Sequence, residues 1–187
     1  MIIALNFLLI LLQIMPQSEE TITKNIIADF TDNSVRAKWG VTNDGVMGGV
    51  STSQISISEN NCLLFSGEVS LENNGGFASL RSPLSDYDFS NYEGFLVKVK
   101  GDGKTYSLSF RQTKYFTGYN YNLRFETEEN NWQVIKLPFK YFKLKYYGRE
   151  VSDFNLPDTK EIKQLSILIS DKQQGPFKLE IEWIKLY

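Results

Sequence analysis

The sequence predicts an all-β sandwich built as one domain of antiparallel strands. Three observations predict it. Apolar and polar residues alternate with period two in segment after segment, as half-buried strands require. Clusters of Gly, Asn, Asp and Pro punctuate those segments at short intervals. No stretch carries helical periodicity beyond about two turns. Composition agrees: 14% of residues are aromatic, with 10 Tyr, 13 Phe and 3 Trp, and such rings pack well on pleated surfaces. A chain of 187 residues can bury roughly 70% of its unfolded surface in one real core.

The chain opens on an apolar run, residues 2–15, which Pro16 ends. It is shorter than the ~20 residues of a membrane span and fits the apolar core of a secretory signal peptide. No Lys or Arg precedes that core, and no small-x-small cleavage site follows it. Residues 1–17 are therefore expected to be a signal peptide or apolar leader, residues 18–25 a polar linker, and residues 26–187 the folded domain. An exported or periplasmic protein follows from a cleaved leader, and a membrane-associated one from a retained leader.

The strands are then legible in turn. Ile55 and Ile57 alternate with Ser56 and Ser58. Leu63, Phe65, Val69 and Leu71 share one parity. Phe95, Val97 and Val99 alternate with Leu96, Lys98 and Lys100, and Tyr106, Leu108 and Phe110 with Ser107, Ser109 and Arg111. Leu165, Ile167 and Ile169 form another set, and Phe177, Leu179, Ile181 and Trp183 the last. Gly101-Asp102-Gly103 reads as a short hairpin turn. Glu128-Glu-Asn-Asn131 and Gln173-Gln-Gly-Pro176 are the other clear breaks. Residues 141–150 and 157–163 are expected as short helices or irregular loops.

Two stretches stand out: Trp39-Gly-Val-Thr-Asn-Asp-Gly-Val-Met-Gly-Gly-Val-Ser51 and Asn73-Asn-Gly-Gly-Phe-Ala-Ser-Leu-Arg81. Each holds a glycine pair flanked by turn-forming amides. At least one glycine of each pair is expected to take positive φ or to abut another backbone. From spacing alone they are two tight β connections or one backbone-lined binding site. With Phe65-x-Gly67, Tyr92-Glu-Gly94, Gly101-Asp-Gly-Lys-x-Tyr106, Trp132-x-x-Ile-x-Leu-Pro-Phe139 and Gly175-Pro-Phe-x-Leu-Glu-Ile181, in that order, they resemble the CIA30 family, that of the complex I intermediate-associated protein of 30 kDa. The resemblance covers roughly residues 29–187. It implies a jelly-roll β-sandwich of the galactose-binding-like kind. It also implies a chaperone-like assembly factor that binds other polypeptides, complex I subunits among the candidate clients.

Chemistry narrows the functions. The chain has no histidine, which removes the usual general base and metal ligand, and one cysteine, Cys62, expected as a small core or face residue rather than a nucleophile. With 20 basic and 22 acidic residues there is no cationic excess for nucleic acid. No cofactor, metal or catalytic set is expected. Asp44, Glu72, Asp102 and Asp171 sit near turns and read as solvated turn carboxylates more readily than as a glycosidase pair or calcium ligands. The candidate partner- or ligand-binding residues are Trp39, Asn43, Asp44, Met47, Asn73, Asn74, Arg81 and Arg111. The arginines could take a carboxylate bidentately, or pair with Asp44, Glu93 or another local acid. Tyr115, Phe116, Tyr119, Tyr121, Tyr141, Phe142, Tyr146 and Tyr147 are the candidate exposed aromatics, suited to a protein interface or to sugar rings. A carbohydrate-binding module is the alternative reading.

Overall fold

The computed structural model describes residues 25–152 and 155–187. The expected leader and most of the linker lie outside the described residues. Within them no helix is long and apolar enough to cross a membrane.

The fold is a jelly-roll β-sandwich of the galactose-binding-like kind, made of two antiparallel sheets. One sheet orders β3 (Thr52–Ile57), β4 (Leu63–Val69), β13 (Gly175–Leu186), β6 (Gly94–Lys100) and β9 (Trp132–Pro138), with β1 (Ile26–Asp29) also paired to β13. The other orders β11 (Arg149–Glu150), β10 (Lys143–Tyr146), β8 (Tyr119–Glu126), β7 (Thr105–Arg111), β12 (Gln164–Ile169), β5 (Ala78–Arg81) and β2 (Gly40–Asn43). A single turn of helix, α1 (Asn33–Arg36), follows β1 and is capped by Asp32, whose carboxylate accepts from the Ser34 amide.

Period-two residues from both sheets fill the space between them. Phe65, Phe95, Val97, Leu108, Ile167 and Leu179 are each fully buried. Phe95 meets Phe139 edge-on at 5.0 Å, and Phe110 meets Phe142 at the same distance. Such pairs add to the area they bury because ring edge and ring face carry opposite partial charge. Gly67 and Gly94 sit where a Cβ would strike the backbone of Thr52 and of Leu137.

Three expectations change. Gly101-Asp102-Gly103 is not a hairpin turn: β6 and β7 belong to different sheets, so the turn carries the chain across the sandwich. Asp102 holds that crossing by accepting from the amides of Lys104 and Lys178 and from the Tyr106 hydroxyl. Residues 143–150 form the β10–β11 hairpin, with Tyr147 and Gly148 at positive φ in its turn, rather than the expected short helix or irregular loop. In β13 the register slips between Ile181 and Trp183, which reverses the parity of everything after it. Ile184 therefore enters the core, and Trp183 turns outward under the ammonium of Lys185.

Candidate functional site

The two glycine-pair stretches meet at one end of β2 and β5, and Asp44 ties them together. Asp44 begins a short 3-10 turn, Asp44–Met47, and is 1% exposed. Its Oδ1 accepts from the Ser51 amide at 2.9 Å. Its Oδ2 accepts from the Ser51 hydroxyl at 2.5 Å and from the amides of Gly76 and Phe77 at 2.6 and 3.2 Å. Burial works against the charged form, but these donors outweigh it and hold the carboxyl below its ordinary range. The Ser51 hydroxyl also bridges to the backbone of Ser70.

The glycine pairs follow from this knot. Gly48 and Gly76 take φ of +90° and +131°, and a Cβ on Gly49 or Gly75 would stand 2.4 or 2.6 Å from the Asp44 carboxyl group. In each pair, one glycine turns the chain and the other makes room for the carboxylate. Asn73 and Asn74 are exposed with φ of 55° and 59°, left-handed positions that asparagine tolerates. The Asn43 side chain accepts from the Ser53 hydroxyl, which fastens β2 to β3. At the outer tip Val46, Met47 and Val50 stay exposed.

A second feature lies on the outward face of the seven-stranded sheet. Strand register sets Arg81, Ser166, Ser109, Asn122 and Lys143 in one row across β5, β12, β7, β8 and β10. Arg111 pairs with Gln164 two residues along. Arg81, Arg111, Ser109, Ser166, Asn120 and Gln164 form the polar wall of a cleft of about 50 Å³. Its apolar wall is Phe116, Tyr119 and Leu168. The hydroxyls of Ser109 and Ser166 bond each other at 2.8 Å on its floor. Among the described residues neither arginine forms an ion pair. Arg81 Nε donates to the Ser79 hydroxyl at 3.2 Å, and Arg111 Nε is buried with no acceptor. Burial lowers the pKa of both guanidiniums, and the charge of Arg111 adds to the effect on Arg81.

An aromatic ledge continues from the cleft. Tyr119 packs on Tyr146 at 4.6 Å, Phe116 edge-on to Tyr147 at 5.7 Å, and Tyr146 edge-on to Tyr147 at 4.8 Å. All four rings are about half exposed, and Tyr115 beside them is 84% exposed. Gly118 permits this packing, since a Cβ there would stand 2.4 Å from the Tyr147 ring.

The structure thus divides the candidate residues between separate places. Trp39 is a core residue, 7% exposed and edge-on to Phe30, so it does not face a partner. Asp44 is likewise internal, since its oxygens are occupied by the knot. Met47, Asn73 and Asn74 are exposed at the knot, while Arg81 and Arg111 line the cleft. The alternative of an arginine pairing with Asp44 or Glu93 is not what the geometry holds. Of the candidate aromatics, Tyr121 and Phe142 are buried and Tyr141 is exposed outside the ledge. Cys62 is buried as expected, and burial pushes its thiol pKa up. Asp171 pairs with Arg124 at 3.4 Å. Among the described residues, no cluster of three or more His, Cys, Asp or Glu could hold a metal ion. Nothing in the alternation singles out Asn120, Gln164 or Ser166: their positions depend on strand order, which alternation does not encode.

Comparison with known proteins places this geometry. The family model described as complex I intermediate-associated protein 30 (CIA30) matches residues 28–181. The mitochondrial complex I intermediate-associated protein 30 of Drosophila melanogaster is 28% identical over 185 residues, covering 87% of this chain and 62% of that protein. The Mus musculus protein of the same name is 29% identical over 184 residues, covering 87% and 56%. The chain thus spans roughly three fifths of the length of these relatives. Their names, and those of two Caenorhabditis relatives, carry the word mitochondrial. That overturns the expectation of an exported or periplasmic protein and points to a mitochondrial location. Among solved structures, the family 11 carbohydrate-binding module of the cellulase Lic26A-Cel5E of Clostridium thermocellum superposes with a TM-score of 0.62 at 16% identity, over 86% of this chain and 92% of that one. The agarase AgWH50C gives 0.57 at 10% identity, over 86% and 26%. At such identities the likeness shows the fold.

Proposed function

The chain belongs to the complex I intermediate-associated protein 30 (CIA30) family, and on that premise we propose that it is a non-catalytic, chaperone-like domain that binds polypeptide clients, subunits of respiratory complex I among them. The observation that carries this is the half-exposed aromatic ledge running into a cleft whose two arginines have no ion pair among the described residues. Tyrosine and arginine are the residues in which protein interfaces concentrate their binding energy. On the outward face of the other sheet two lysines have carboxylate partners: Lys98 pairs with Glu182 at 2.8 Å and Lys100 with Glu180 at 2.6 Å.

The shared fold with carbohydrate-binding modules favours sugar binding as a second reading. The size of the cleft argues against it there. The cleft, at about 50 Å³, is far below the roughly 300–1,000 Å³ of a small-molecule site.

Site-specific photo-crosslinking tests the proposal. A photoreactive phenylalanine analogue replaces Tyr115 on the ledge, or Val134 on the opposite face, in the native cell. Both positions are exposed enough to leave the fold intact. Discrete protein adducts from position 115 and none from 134 are the expected result. Adducts equal at the two positions, or absent from 115, overturn it.

A further inference from the structure

We propose that the Arg81–Arg111 cleft is a carboxylate-binding site that takes an acidic side chain of a protein client. The inference rests on the protein-binding reading and specifies what that surface recognises.

Two guanidiniums open onto one small cleft, and among the described residues no carboxylate is paired to either. Lys100 and Lys98 on the other sheet have Glu180 and Glu182. The Nε–H of Arg111 is buried with no acceptor among the described residues, as is that of Arg36, whose Nη1 nonetheless donates to the carbonyls of Phe30 and Asn61. A buried donor without a partner is rare in a folded chain and calls for one from outside. The missing group must accept hydrogen bonds and carry negative charge, because it relieves both the burial of the arginines and their mutual repulsion.

Size and walls narrow the class. About 50 Å³ admits one functional group of a larger molecule, not a whole metabolite. A carboxylate matches the planar fork of a guanidinium, which can grip both its oxygens. The floor adds the Ser109 and Ser166 hydroxyls, which can turn as donors. Phe116 and Tyr119 flank the opening and suit the methylenes behind a glutamate carboxylate and the apolar residues beside it. On the same outward face, Lys145 of β10 stands across from Asn120 of the cleft.

The test follows the arginine Nε–Hε resonances by NMR in the whole folded chain. The probes are sodium acetate, a blocked peptide with one Glu between two Phe, and its Gln twin, all at fixed ionic strength set with sodium chloride. The Arg111 and Arg81 resonances are expected to shift and saturate with acetate and the Glu peptide, but not with the Gln twin or chloride. Arg111→Gln, with a melting curve matching the parent, should weaken the Glu peptide about tenfold or more. Arg111→Lys, which keeps charge but loses the fork, should fall between them. Linear, non-saturating shifts equal to those of chloride overturn the site. Saturation by phosphate with none by acetate overturns the carboxylate assignment. Saturation by a β-1,3-1,4-linked tetrasaccharide that acetate cannot displace makes the cleft a sugar subsite and overturns it too. Failure here with adducts still forming at position 115 removes the carboxylate site alone. Saturation here with no adducts at 115 removes the client reading alone.

Discussion

Asp44 concentrates several hydrogen bonds on one buried carboxylate, and each bond to a charged group is worth about 1.5–3 kcal/mol when lost. Asp44→Asn places an amide where the Gly76 and Phe77 N–H groups require an acceptor. It is expected to destabilise by about 3 kcal/mol in denaturant melts. Gly49→Ala and Gly75→Ala drive a methyl group into that carboxylate and should cost roughly 1–3 kcal/mol. Gly40→Ala meets nothing within 4 Å and should change stability by less than about 0.5 kcal/mol. The pH dependence has a definite sign. The folded carboxyl titrates below its unfolded value of about 3.9. Its contribution is complete above that pH and is lost as pH falls through the folded value. Acid unfolding of Asp44→Asn should therefore be shallower below pH 4. The glycine pairs were legible because amide-flanked Gly-Gly has few other physical reasons to exist. That Trp39 and Asp44 point inward was not legible, since a motif fixes which residues stand together but not which way they face.

At the level of strands, alternation located most of the core, yet it failed at Trp183. One extra residue at the β13 bulge reverses parity, and no local preference marks that slip. Sheet membership was illegible for a similar reason. Gly101-Asp102-Gly103 suits a hairpin or a sheet crossing equally, and the long-range pairs of β13 decide. The six-stranded sheet offers a test of how burial sets the worth of a charge. Lys100→Ala leaves Glu180, 5% exposed, without its ammonium and should cost about 3–5 kcal/mol. Lys98→Ala removes a more exposed pair and should cost less than about 1 kcal/mol. Thermal melts of the two variants side by side decide this, and equal costs would contradict the burial argument. On the opposite sheet, Gly118→Ala pushes a methyl into the Tyr147 ring at a φ of +83°. It should shift the ledge tyrosine resonances while leaving core methyl resonances in place.

For the whole molecule, the two outward faces divide the work. The six-stranded sheet pairs Lys98 and Lys100 with its own glutamates, while the seven-stranded sheet leaves Arg81, Arg111 and the ledge tyrosines without a carboxylate partner among the described residues. Family membership was readable from ordered motif pieces, but the open face was not, because its residues come from β5, β7, β8, β10 and β12 and from the loops that carry Phe116 and Tyr147. The central claim is that this face binds a polypeptide client. Titration calorimetry with a client identified by crosslinking tests it most directly, comparing the parent with a Tyr119→Ala/Tyr146→Ala double variant of unchanged melting temperature. Two half-exposed rings at the centre of an interface are worth about 2 kcal/mol or more each, so affinity should fall at least about a hundredfold. A dissociation constant within about twofold of the parent's would contradict the account.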